Sequence, residues 1–318
     1  MPKNPLLHLR RDYKLGGAPH KPILLLAVME LVERGVLRDN KISVSGELLL
    51  EFRALWSQLV ITPHTPNFAL PFYHMKSEPF WELVTYQGKT IPVTSSNSIR
   101  SLAGLRESVA YALLDEGYFR AFADPMQREN IRQEMLTVYF PHTRQFYKPG
   151  LNTSFLAEYS NVQLEEPVAA YEAKTREILL SLKKEEREEE TVLRGAIFKR
   201  MVPEKYQYRC AVTGMQAMST TKNIQLVDAC HIVPISQLGI DHISNGICLS
   251  PTLHRAFDRG LIAISDDYQV MVSPDLHESP GPYALAPLAG RRLLLPERSQ
   301  YHPDPAFLRQ HREGWMMA

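Results

Sequence analysis

Asp228-Ala229-Cys230-His231-Ile232-Val233-Pro234, then Ser244-Asn245-Gly246, then His254-Arg255-Ala256-Phe257-Asp258-Arg259-Gly260, is the stretch that decides the C-terminal fold. Ile224 to Val233 reads as a strand closed by Pro234, and Asn245 to Leu249 as a second strand. Pro251 to Phe257 starts a helix, with Ser250 placed to cap it and Gly260 to end it. Leu261 to Ile264 and Gln269 to Val272 flank Ser265-Asp266-Asp267-Tyr268, the pattern of a hairpin. Upstream, Arg194 to Pro203 suggests a short helix. The expected order is strand, strand, helix, closing hairpin.

These residues resemble the HNH endonuclease family, in the variant whose signature reads AHIxP followed by NGxxLxxxxHxxFDxG. Tyr208-Arg209-Cys210-Ala211-Val212-Thr213-Gly214 is similar to that variant's YxxxCxxTG opening. The resemblance covers residues 194 to 310, and Cys230 departs from it where many members carry Ala. It implies a ββα-metal fold and a metal-dependent DNA endonuclease.

The chemistry can also be argued residue by residue. Phosphodiester hydrolysis needs an activated water, neutralised charge at phosphorus and help for the departing oxygen. A neutral imidazole at a strand end, His231, can take the water's proton near neutral pH. His254 and Asp228 can supply one nitrogen and one oxygen to a divalent cation, leaving positions for phosphate and water. Asp258 lies one turn after His254, so both can face one side of the helix and touch one ion. Which carboxylate is the ligand stays open. Asn245 can bridge backbone groups and hold the His231 strand in register. The catalytic set is thus His231, Asn245 and His254, and the metal set Asp228, His254 and Asp258, with Mg²⁺ or Mn²⁺ expected. Singly, each has a duller explanation as core histidine, turn or helix end; order and spacing together favour the nuclease. Cys210, Cys230 and Cys248 lack paired spacing, so buried thiols are expected rather than a structural zinc. His242 is expected in an exposed loop, open to solvent or phosphate.

The N-terminal part reads as a separate, mainly helical domain. Pro22 and Gly35 bracket the apolar run Ile23 to Val32, and Leu48 to Leu59 presents Leu49, Phe52, Leu55, Trp56 and Leu59 on one face. Pro79 to Val84 resembles a strand, while Ser101 to Leu114 and Pro125 to Tyr139 fit helices. Ala18-Pro19-His20-Lys21-Pro22 and Leu70-Pro71-Phe72-Tyr73-His74-Met75 resemble the sulfur-binding domain of phosphorothioate-dependent (type IV) restriction endonucleases, over residues 10 to 150. A non-bridging sulfur is soft and poorly hydrated, so its reader should pair an apolar pocket with cations. Leu70, Pro71, Phe72 and the His74 ring would form that pocket. His20, Lys21 and Arg100 would hold phosphates, and Ser96 and Asn97 would reach sugar or base edges. A reader of methylated bases is the alternative occupant of this role.

Between the two lies the charged stretch ending in Lys183-Lys184-Glu185-Glu186-Arg187-Glu188-Glu189-Glu190, expected to be a solvated helical spacer. The 318 residues therefore read as an α+β chain: a modified-DNA domain at 1–160, a linker at 161–193 and a nuclease domain at 194–318. A net charge of +1 argues against indiscriminate DNA binding, which comes mainly from phosphate neutralisation. With 44% hydrophobic and 22% charged residues, no run near ~20 apolar residues and no signal core in Met1 to Asp12, a cytoplasmic protein with no membrane partner is expected. The expected partner is double-stranded, modified DNA in a restriction or defence role. One such site cuts one strand, so double-strand cleavage would favour a homodimer. A catalytically inactive DNA-binding regulator is the rival from another class.

Overall fold

The computed structural model describes residues 4–91, 99–148, 166–219, 224–238 and 240–315. The chain divides into two compact units, Met1–Ala157 with Leu179–Leu193, and Glu158–Ile178 with Arg194–Ala318.

The first unit runs α1 (His20–Glu33), β1 (Lys41–Ile42), α2 (Gly46–Leu59), α3 (Ala69–His74), β2 (Trp81–Thr85), α4 (Leu102–Ser108), β3 (Val109–Leu114), α5 (Glu116–Ala123) and α6 (Pro125–Tyr139). In α1 every residue from Lys21 to Val32 is buried, as a helix with neighbours on all sides requires. It packs against α2, α3, α5 and α6. The span Lys14–Glu33 is long and apolar enough to cross a bilayer by length and composition alone, with mean hydropathy 1.3. His20 and Lys21 interrupt its apolar run, and most of it is buried as the core helix of this unit. The face expected on α2 is buried throughout, and Ser45 caps the helix by accepting the Leu48 N–H at 3.1 Å.

One expected helix is wrong in its second half. The helix that begins at Ser101 stops at Ser108, and Val109–Leu114 becomes the central strand of an antiparallel sheet ordered β1-β3-β2. Leu113 pairs with both Lys41 and Glu82. Small and apolar residues fit either state, and the distant partner strands decide it.

The charged stretch forms α7 (Val168–Ser181) and α8 (Lys184–Lys205), each shared between the units. It is not a solvated spacer throughout. Glu189 is 2% exposed, and its carboxylate accepts the Phe68 and Ala69 N–H groups at 2.9 and 3.3 Å, satisfying donors at the start of α3. Burial raises its pKa.

In the second unit, the C-terminal part of α8 supplies Phe198 and Val202, both fully buried. The short pair β4 (Met218–Ser219) and β5 (Ile224–Gln225) precedes β6 (Asp228–His231), the single turn α9 (Ile235–Leu238), β7 (Gly246–Leu249) and α10 (Pro251–Asp258). β6 and β7 pair antiparallel, Asp228 with Leu249 through His231 with Gly246. The hairpin β8 (Ile262–Ile264) and β9 (Val270–Val272) follows, and α11 (Pro305–Gly314) lies near the end of the chain. The strand-strand-helix-hairpin order read from the sequence is the order observed, with Ile224 to Val233 split into two shorter strands.

Candidate active site

His231 stands at the end of β6, and three features fix its ring. Its Nε2 donates to the Asp241 carboxylate at 2.9 Å, and Asp241 is only 3% exposed. Its face stacks on Phe198, with centroids 3.9 Å apart and planes 7° from parallel. Across the ladder sits Gly246, where a Cβ would fall 2.6 Å from Val202 Cγ2 and 3.0 Å from Phe198 Cε2. Only glycine at this position lets α8 approach closely enough to place Phe198 under the imidazole. With the proton held on Nε2, the lone pair of the neutral ring is on Nδ1.

Asn245 is fully buried and ties down the chain that leaves His231. Its Oδ1 accepts the Val233 N–H at 2.9 Å, and its Nδ2 donates to the Val233 and Ile240 carbonyls at 3.0 and 3.2 Å. These bonds fill three of the amide's four hydrogen-bonding positions, so one side chain ties Val233 to Ile240 and to Asn245 itself.

His254 on α10 lies between two carboxylates. Its Nδ1 is 3.4 Å from Asp228 Oδ2 and its Nε2 is 3.4 Å from Asp258 Oδ2. Cys230 Sγ donates to Asp258 Oδ1 at 3.6 Å, and burial raises that thiol's pKa well above the usual range, with Asp258 adding to the effect. Cys230, His254 and Asp258 each offer a donor atom within 4.8 Å of the others. One imidazole and one carboxylate 3.4 Å apart suit a divalent cation, since two donors about 2.1 Å from one ion span about that distance. Asp228 faces the opposite nitrogen, the position of a group that orients a ligand histidine.

His231, His254 and Asp258 line one cavity of about 550 Å³, closed in part by Gln310, His311 and Trp315 at the end of the chain. Asp241, Phe198 and this C-terminal wall were not singled out by sequence reasoning. Asp241 carries one weak sequence signal, as the acidic residue beside His242. His242 itself corrects an expectation: it is 3% exposed, bonded to Ser244 Oγ at 2.7 Å and to the Glu166 carbonyl at 3.1 Å. It holds the loop and does not face solvent. Burial lowers its pKa.

The residues singled out in the N-terminal unit are placed differently from the expectation. Phe72 is fully buried, its ring 5.4 Å from Trp81 and 5.8 Å from Phe68, and Pro71 is buried beside it. They are core, so neither can wall an open pocket. Lys21 is 7% exposed, ion-paired with Glu78 and bonded to Ser77 Oγ at 2.8 Å, so its ammonium is committed inside the unit rather than to phosphate. His20 donates from Nε2 to the Thr65 carbonyl at 2.9 Å and packs against Trp56. Leu70 and His74 are half-buried and Arg100 is exposed. Burial lowers the pKa of His74, helped by the positive charges of Lys21, Lys76 and Arg100, which marks a locally electropositive corner. Ser96 and Asn97 lie outside the described residues.

An antiparallel strand pair, a helix carrying a histidine and a carboxylate, and an imidazole at the strand end give the strand-strand-helix layout expected from the sequence motif. Residues 210–265 match the family model described as HNH endonuclease, so the second unit carries an HNH endonuclease domain. No curated protein matches the chain. Among solved structures, the modification-dependent TagI restriction endonuclease is similar at 26% sequence identity, over 38% of this chain and 38% of that one, with a TM-score of 0.31.

Proposed function

We propose that the protein is a restriction-type endonuclease whose second unit hydrolyses DNA phosphodiester bonds, with His231 as general base, and whose first unit selects modified DNA, phosphorothioate DNA above all. The observation that carries the nuclease reading is that His231, bonded to buried Asp241, lines the same cavity as His254 and Asp258.

The buried Asp241 keeps the proton on Nε2, leaving Nδ1 to accept the proton of an attacking water. As His231 becomes positive, Asp241 stabilises the imidazolium without a change of position. Phe198 prevents the ring from turning away, and the Asn245 latch keeps the strand end fixed. A divalent cation held by His254 and Asp258 would stabilise charge on the phosphate and the departing oxygen.

Selection of modified DNA is supported by the resemblance over residues 10 to 150 and by the corner formed around His74, Lys76 and Arg100. The sulfur contact then falls to Leu70 and the His74 ring, because Phe72 and Pro71 are core. The near-neutral chain also fits a protein that does not bind DNA indiscriminately.

The test is cleavage and binding of duplexes that differ in one sulfur atom, at fixed salt, with Mg²⁺ or Mn²⁺. Cleavage of the sulfur duplex with the plain duplex spared is expected. Equal cleavage of both removes the sulfur reading and makes methylated duplexes the next arm. Binding without cleavage of any duplex favours the regulator.

A further inference from the structure

Cys230 is the one thiol of three that joins a ligand cluster among the described residues; Cys210 and Cys248 are buried without one. It occupies the strand position immediately before the base His231, where many proteins with this signature carry Ala. Its sulfur lies 3.6 Å from Asp258 Oδ1, and Sγ, an imidazole nitrogen of His254 and an Asp258 oxygen are mutually within 4.8 Å. Asp228 is on the other side of the imidazole, at Nδ1.

We propose that Cys230 is a third ligand of the active-site ion and that it biases the site toward soft divalent cations such as Zn²⁺. Oxygen and imidazole donors suit Mg²⁺ and Mn²⁺, whereas a thiolate selects thiophilic ions. On binding, the ion replaces the thiol proton, which passes to solvent, so a sulfur–metal bond forms as the sulfur–hydrogen bond breaks. With Mg²⁺ the thiol stays protonated and bonded to Asp258, and the ion is held by His254 and Asp258. The site is therefore open to two classes of ion with different ligand sets. Zn²⁺ would use three protein donors and hold on longer, making zinc a competitor of the working metal.

The proposal rests on the nuclease reading for its location, but its test needs no DNA. The full-length protein, freed of metal with a chelator, is titrated with Co²⁺ and followed by absorption. One Co²⁺ per chain should bring a thiolate-to-cobalt charge-transfer band in the near ultraviolet together with weak visible bands. Cys230→Ala should lose the ultraviolet band and keep visible bands from His254 and Asp258. His254→Ala, which retains all three thiols, should weaken Co²⁺ binding and shift both sets of bands, as a site containing Cys230, His254 and Asp258 requires and one built on Cys210 or Cys248 does not. Zn²⁺ affinity, measured by competition, should fall at least about tenfold in Cys230→Ala while Mg²⁺ affinity is unchanged. Persistence of the ultraviolet band in Cys230→Ala, or its absence from the native protein at saturating Co²⁺, would overturn the proposal. Failure of DNA cleavage with the cobalt signature intact would instead count against the nuclease reading alone.

Discussion

Both units carry residues that stand out in the sequence, but the two sets are placed differently. In the second unit the motif residues His231, His254 and Asp258 open into one cavity. In the first, Lys21, Pro71 and Phe72 sit inside the core or in a closed ion pair. A motif of the first kind specifies chemistry, and one of the second kind specifies a fold on which chemistry can be placed. Burial separates them where residue type does not.

The largest expected effect lies in the second unit. His231→Ala should lower the rate of DNA nicking by at least about 10²–10⁴-fold while DNA affinity and melting temperature stay near native, if the imidazole acts as proposed at the chemical step alone. Nicking at a substantial fraction of the native rate would remove it as the base. In the first unit the effect should be structural. Phe72→Ser should destabilise that unit by about 3–5 kcal/mol, as core aromatic deletions do. Lys21→Ala should cost about 3 kcal/mol by leaving Glu78 buried without its partner. Denaturant unfolding checks both, and a native midpoint combined with a specific loss of DNA affinity would return these residues to the binding surface.

Smaller effects sharpen the division within the nuclease site. Asp258→Asn should weaken the response of nicking to Mg²⁺ or Mn²⁺ more than Asp228→Asn does, if Asp258 shares the ion as proposed and Asp228 only orients His254. Metal titrations of the two variants in which Asp228→Asn is the worse would exchange their roles. Asp241→Asn should lower the nicking rate about 10–100-fold with binding unchanged, and shift the pH–rate profile, because the tautomer of His231 is no longer enforced. A purely structural Asp241 would lower stability and leave the profile where it was.

The smallest effect is on stability as pH falls. Burial lowers the pKa of His20 and His74 in the first unit and of His242 and His311 in the second, from the ordinary 6.5. The unfolded chain therefore binds protons that the folded chain refuses, so stability is full above 6.5 and declines as pH falls through it. Thermal melts should show this decline, and His242→Gln should make it shallower. Melting temperatures that rise on acidification would reverse the sign.

Much of the second unit was legible because its signals are local. The Asn245-Gly246 turn chemistry, the strand closed at Pro234 and the helix from Pro251 to Asp258 each declare themselves within a few residues. The residues that tune His231 do not. Asp241 reaches it from ten positions away through a loop whose path depends on the Asn245 latch, and Phe198 arrives from a helix that begins at Lys184. Val109–Leu114 was unreadable for the same reason, being a strand only because Lys41–Ile42 and Trp81–Thr85 lie on either side. The bonds of Lys21 to Glu78 and of Glu189 to the start of α3 join residues far apart in sequence, so charged side chains that look free are committed.

Gly260 has a backbone φ of +66°, and a Cβ there would lie 2.4 Å from Trp315 Cδ2. That glycine seats the end of the chain against the turn that follows the His254 helix, and Arg312 adds bonds to the Ile264 carbonyl and Asp266 at 2.6 Å each. The recognisable segment 210–265 is thus not a portable cutting module. Grafted alone onto another binding domain, it would bring His231 without the Phe198 ring beneath it and leave its cleft with one wall. A graft running from Arg194 to Trp315 keeps both supports, and those residues set where a hybrid enzyme built on this scaffold should be joined.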